Sequence, residues 1–159
     1  MTEGTRVRPS VLLDSPEQTA QLGARLAAAV EGGDAIALIG DLGAGKTTFV
    51  AGLVAALGGG AAASPTFSLV NEYRHGRLRV WHVDLYRLDR AAELPELGLD
   101  DLIGDRRGIV LVEWADKFHV MPPDHLRIEL AHEGDVRRLT AVGTGPRGTA
   151  LASVLGSPG

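Results

Sequence analysis

Apolar residues Leu22, Leu26 and Val30 recur at four-residue spacing, one face of a helix that ends at Gly32-Gly33. Just upstream, Asp14-Ser15-Pro16-Glu17 reads as a helix start: a capping side chain, proline in the first turn, and an acid favoured by the helix dipole. Ala35 to Ile39 is continuously apolar, the pattern of a strand buried on both faces. After a glycine-rich turn, Thr47 to Leu57 predicts a second helix, stopped by Gly58-Gly59-Gly60. Phe67 to Tyr73 and Leu78 to Val83 flank His75-Gly76 and predict a hairpin. A helical stretch from Ala91 to Ile103, broken near Pro95 and Gly98, leads to Ile109 to Val112, a second continuously apolar strand. Leu126 to Leu130 and Val136 to Val142 alternate around Gly134-Asp135 and predict another hairpin. Gly143 to Gly159, with Gly-Pro at its ends, reads as a loosely ordered tail around one short helix. Strand and helix alternate early and antiparallel strands follow, which together predict a small α/β domain with a mixed, partly antiparallel sheet.

Length and composition narrow this picture. A chain of 159 residues is the size of one domain and can bury one substantial core. The absence of cysteine rules out a disulfide scaffold, a thiolate metal site and a cysteine nucleophile, and fits a reducing compartment. Met1 to Leu13 has no apolar segment of signal-peptide length, and no apolar run approaches a membrane span, so a cytoplasmic protein without membrane contact is expected. The net charge of −4 argues against a free-standing polyanion binder. The arginines fall in small scattered groups rather than the continuous basic stripe an autonomous nucleic-acid binder needs.

The basic residues also divide unevenly, into 14 Arg and two Lys, Lys46 and Lys117. Lys46 stands in Gly40-Asp41-Leu42-Gly43-Ala44-Gly45-Lys46-Thr47, which fits the phosphate-loop pattern G-x-x-x-x-G-K-[ST] in full, with a buried strand before it and a helix after it. Glycines let successive backbone N–H groups converge on one phosphate, and the helix start adds its positive end to the same anion. A compact ammonium can bridge terminal phosphates where a planar guanidinium fits poorly. The Thr47 hydroxyl is placed to ligate magnesium. Lys117 reads as a solvated loop residue.

Such a loop needs an acid at the end of a neighbouring apolar strand. Glu113 follows Ile109 to Val112, and Asp84 follows Val80 to Val83. Glu113 is assigned to the magnesium shell and Asp84 to the attacking water; the reverse assignment stands as the alternative. Ser64-Pro65-Thr66 lies where many phosphate-loop proteins keep a segment that senses the γ-phosphate, the alternative reading being an ordinary turn. The absence of N-K-x-D favours ATP over GTP. Trp114 offers either a stacking surface for a base or core packing. His82, His119 and His125 show no metal-ligand spacing and are assigned structural roles. Arg87 reads as a transition-state or interface residue, or as one arm of a surface salt bridge.

The loop with Thr48-Phe49, then Ser64-Pro65-Thr66-Phe67, His82-Val83-Asp84-Leu85-Tyr86-Arg87-Leu88, Glu96-Leu97-Gly98 and Val112-Glu113-Trp114, resemble the TsaE (YjeE) family in order from about Leu13 to Trp114. The resemblance implies a P-loop NTPase-like three-layer domain and a bacterial cytoplasmic ATPase needed for threonylcarbamoyl-adenosine modification of tRNA. It implies magnesium and ATP, hydrolysed slowly alone and faster with a TsaD–TsaB pair, with tRNA met only through that complex. By position, Gly43, Ala44, Gly45, Lys46, Thr47 and Thr48 match the nucleotide loop, and Thr47 and Glu113 match the magnesium site. Asp84 matches the acid needed for hydrolysis, Ser64 to Thr66 match the switch-like segment, and Thr19 falls where the family approaches the nucleotide. No functional role is assigned after about Leu130. The rival readings are a small-molecule kinase and a nucleotide-dependent binding module that does not hydrolyse.

Overall fold

The computed structural model describes residues 9–156 apart from 42, 61–69, 87 and 89. Helix α1 (Pro16–Ala27) starts at an extended Ser15 whose side chain accepts from the Gln18 N–H, while Gln18 Oε1 accepts from the Asp14 N–H. Helix α2 (Lys46–Leu57) ends at Gly58 in the left-handed conformation, φ 80°. The two helices cross almost backbone to backbone. A Cβ on Gly23 would lie 2.3 Å from the Phe49 carbonyl oxygen, and one on Gly52 would lie 2.2 Å from that of Ala20.

Strand β2 (Ala35–Gly40) is the centre of a seven-stranded sheet, parallel to β5 (Gly108–Glu113) on one side and β6 (His125–Glu133) on the other. Strand β4 (Arg79–Asp84) runs parallel to β5 and antiparallel to β3 (Val70–Tyr73). Strand β7 (Val136–Thr144) pairs antiparallel with β6 and also with β1 (Ser10–Leu13), giving the order β1-β7-β6-β2-β5-β4-β3. Both expected hairpins are therefore present. Strand β1 is an addition to the expected elements: four residues on a sheet edge carry too short an alternation to stand out, and their pairing partners, Arg137 to Thr140, lie near the other end of the described residues.

The sheet separates two cores. On one face lie α1, α2 and the C-terminal helix α4 (Gly145–Gly156), with Phe49, Leu26, Leu53, Ile36, Leu111 and Leu151 fully buried. On the other, Trp81, Val83, Leu85, Val110 and Val112 are covered by a 3₁₀ turn over Ala91–Leu97, the short α3 (Leu99–Leu102) and a second 3₁₀ turn over Ala115–Lys117. This is a three-layer α/β arrangement with one thin outer layer. The helical stretch expected over Ala91 to Ile103 is split at Gly98, φ 68°.

The expectation of a loosely ordered tail from Gly143 is corrected. Strand β7 continues to Thr144, and α4 is a 12-residue helix that buries Leu151, Ala152 and Leu155. Its glycines read as disorder in composition but permit close packing: a Cβ on Gly148 would lie 2.0 Å from the His125 carbonyl oxygen. Arg147 locks the helix down, donating to both carboxylate oxygens of buried Asp34 at 3.0 and 2.7 Å and to the Ala29 carbonyl. Among the described residues, no helix is long and apolar enough to cross a membrane.

Candidate functional site

Parallel β2, β5 and β4 deliver Gly40, Glu113 and Asp84 to the same edge of the sheet, outside their carboxyl ends, where open α/β folds place ligands. The loop after β2 turns back on itself at Gly43, φ 81°, and Gly45, φ 108°, conformations that a residue with a Cβ adopts only under strain. Ala44 donates its N–H to the Asp41 carbonyl and packs its methyl into the core, so the loop is anchored from beneath. Helix α2 begins directly afterwards, with Lys46 buried and Thr47 exposed.

Side-chain register explains the acids. Asp84 and Glu113 are directly paired across the β4–β5 ladder and project to the same face, as does Leu38, the β2 partner of Glu113. A cavity of about 310 Å³ is lined by Gly43, Gly45, Lys46, Thr47, Thr48, Asp84, Tyr86, Glu113 and Trp114. Within it, Glu113 Oε1 lies 3.6 Å from the Lys46 ammonium and Oε2 accepts from His82 Nε2 at 2.5 Å. Burial alone would raise the Glu113 carboxyl, but the hydrogen bond and charge of His82, with Lys46, outweigh it and hold the group below its ordinary value. Asp84 is aligned by the Tyr86 N–H, which donates to Oδ1 at 2.9 Å.

Trp114 takes the left-handed conformation (φ 60°), rare for a bulky residue. Its ring packs against Tyr86 in a tilted pair, with centroids 4.9 Å apart and planes 42° from parallel, and lies 4.6 Å from the Lys46 ammonium. It is partly buried and walls the cavity beside Lys46. Lys117, expected to be solvated, is exposed and donates to the Tyr86 carbonyl at 2.9 Å.

A second cavity, about 230 Å³, opens on the other side of the loop, lined by Leu13, Ser15, Thr19, Gly43, Gly45, Thr48, Asp135 and Arg137 among others. Thr19 is buried, and a Cβ on Gly45 would be only 3.6 Å from its methyl, so this expected site residue is brought to the loop. Asp135 and Arg137 had no expected role. They arrive because β1 and β7 pair, which sets the β6–β7 turn beside the start of α1. Ser64, Thr66 and Arg87 lie outside the described residues.

The described surface arginines are largely engaged with acids. Arg127 donates to both oxygens of Asp116 and to Glu129, Arg138 pairs with Glu133, Arg107 with Asp105, and Arg74 and Arg79 with Glu72.

The strand–loop–helix with its lysine, and two acids at the ends of adjacent strands, define a P-loop NTPase-like α/β domain. The model of the family "Threonylcarbamoyl adenosine biosynthesis protein TsaE" matches residues 13–140. The chain is similar to the tRNA threonylcarbamoyladenosine biosynthesis protein TsaE of Bacillus subtilis (strain 168), 40% identical over 134 residues that span 81% of this chain and 83% of that protein. It is also similar to the TsaE protein of Aquifex aeolicus (strain VF5), 42% identical over 110 residues, 67% of this chain and 77% of that protein. Among solved structures, a crystal structure of Bacillus subtilis YdiB superposes with a TM-score of 0.80 at 33% identity, covering 95% of each chain. The chain belongs to the TsaE family, whose role lies in the biosynthesis of threonylcarbamoyladenosine in tRNA.

Proposed function

We propose that this chain is a magnesium-dependent ATPase whose hydrolysis drives or resets a TsaD–TsaB complex that modifies tRNA in the cytoplasm. The observation that carries the reading is the pairing of Asp84 with Glu113 at adjoining strand ends, in one cavity with Lys46 and Thr47. The donor set suits a hard divalent cation: hydroxyl and carboxylate oxygens, with no thiolate available. Thr47 and Glu113 would hold the ion, which supplies charge neutralisation at the phosphate oxygens. Gly43 to Thr48 present backbone N–H groups to the phosphates, and Lys46 moves its charge from Glu113 to them. Asp84, held by the Tyr86 N–H, orients the attacking water and takes its proton. Thr19, Asp135 and Arg137 line the side of the loop away from the acids and are assigned to the base and ribose. The arginines already engaged with acids support a chain that meets tRNA through its partners.

The test is phosphate release from ATP without an acceptor, measured alone and with the TsaD–TsaB pair, for wild type and Asp84→Asn. Slow release that rises with the pair is expected. Asp84→Asn should keep nucleotide binding and lose turnover by about 100-fold or more. Nucleotide binding with no release in any mixture would leave a binding module, and transfer seen only when an acceptor is added would leave a kinase. Loss of binding in a folded Asp84→Asn protein would exchange the roles of the two acids.

A further inference from the structure

Glu113 is a short-range problem in packing as well as chemistry. Its side chain is 11% exposed, so an oxygen left without a partner would be costly, yet a metal ligand must keep one oxygen available. The two oxygens are treated differently. Oε2 accepts from His82 Nε2 at 2.5 Å, a full hydrogen bond to a side chain that is itself only 14% exposed. Oε1 faces the Lys46 ammonium at 3.6 Å, a charge contact too long for a hydrogen bond. An ionised carboxylate only accepts, so the ring donates.

The sheet explains why this histidine can do so. His82 precedes Asp84 by two residues on β4, on the face that carries Glu113. Its neighbour across the β3–β4 ladder, Asn71, does not hold it through its side-chain oxygen: Asn71 Oδ1 is buried with no hydrogen-bond partner among the described residues. The hydrogen bond recorded for the ring runs to Glu113 instead, 31 positions along the chain.

We infer that His82 is a positioning residue for Glu113: it fixes the carboxylate through Oε2 and leaves Oε1 as the oxygen that gives up Lys46 and faces a divalent cation. The inference rests on the nucleotide and magnesium reading above and adds a residue to it. Partners that orient a ligating carboxylate typically matter by about 10–100-fold in metal affinity.

The experiment titrates magnesium against the binding of a methylanthraniloyl-ADP probe, with thermal melting in EDTA as the fold control. His82→Leu should raise the magnesium midpoint by about tenfold while leaving magnesium-free probe affinity unchanged. His82→Gln places an amide N–H where Nε2 stood and should restore the midpoint, whereas His82→Asn places it nearer Nδ1 and should not. That contrast separates a positioned hydrogen bond from simple packing, and it holds even if His82→Leu does not fold. A wild-type midpoint in folded His82→Leu, or Gln and Asn variants that behave alike, would overturn the inference and leave the site reading intact. A wild-type protein whose probe affinity ignores magnesium would overturn the site reading, and this inference with it.

Discussion

Lys46 and Glu113 face each other at 3.6 Å across the strand-end cavity, so the lysine that a phosphate would claim is held by the acid that a cation would claim. Each ligand therefore releases the partner of the other. Lys46→Ala should reduce turnover by about 100-fold or more, the scale of a lost preorganised donor at a reacting phosphate. Thr47→Ala should weaken the magnesium-supported part of binding. Equilibrium probe binding and phosphate release read both, and full activity in both variants would remove the phosphate-loop assignment.

The lowered Glu113 carboxyl gives a pH signature. A depressed folded value means that its ionisation stabilises the protein above the ordinary carboxylate range, about pH 4.3, and that this stability is lost as pH falls through the folded value. Melting of wild type relative to Glu113→Gln should therefore show a difference that moves against wild type as pH falls below about 4.3. A difference that stays flat below about pH 4.3, or moves in favour of wild type there, would contradict the assigned direction.

Gly52 lets α2 touch α1. Because a Cβ there would sit 2.2 Å from the Ala20 carbonyl oxygen, Gly52→Ala must push the helices apart. A loss of about 1–3 kcal/mol in denaturant unfolding is expected. Since α1 carries Thr19 and α2 follows the phosphate loop, probe affinity should fall in the folded fraction as well. An Ala variant as stable as wild type would mean that the crossing is looser than described.

Arg147 compensates a carboxylate whose side chain is 4% exposed. Arg147→Ala leaves Asp34 with the Glu31 N–H but without its counter-charge. The guanidinium is partly solvated, so the expected cost is about 2–3 kcal/mol, below the range for a fully buried pair. Asp34→Asn/Arg147→Ala should recover part of it. Urea unfolding of wild type, Asp34→Asn, Arg147→Ala and the double variant measures the coupling, and strict additivity would remove the pair as a stabilising unit.

What could be read from the chain was what is local in it. Ala35 to Leu57 is contiguous, so strand, loop and helix announce themselves together, and Glu113 and Asp84 were visible because each closes an apolar strand. Their adjacency depends on β4–β5 register, which no linear spacing shows. His82 was assigned a structural role because metal-ligand spacing was sought along the chain, whereas its partner is a neighbouring strand away. Asp135 and Arg137 were missed for the same reason, since β1 had no recognisable pattern of its own. The C-terminal helix was undervalued because glycine and proline lower intrinsic propensity, and the burial of Leu151 and Leu155 overrides it.

The strand order has a consequence for how the molecule is made. The phosphate loop is complete once α2 exists, but the cavity beside it needs Leu13 and Thr19 from the beginning of the chain and Arg137 from near its end. Edge strand β1 pairs only with β7 among the described strands. During synthesis, then, an emerging chain carries the complete Gly40–Thr47 loop well before it carries the complete cavity beside it. On the function proposed above, tight nucleotide capture is expected to be a late event that reports a fully threaded sheet, its slow step the long-range closure of β1 on β7.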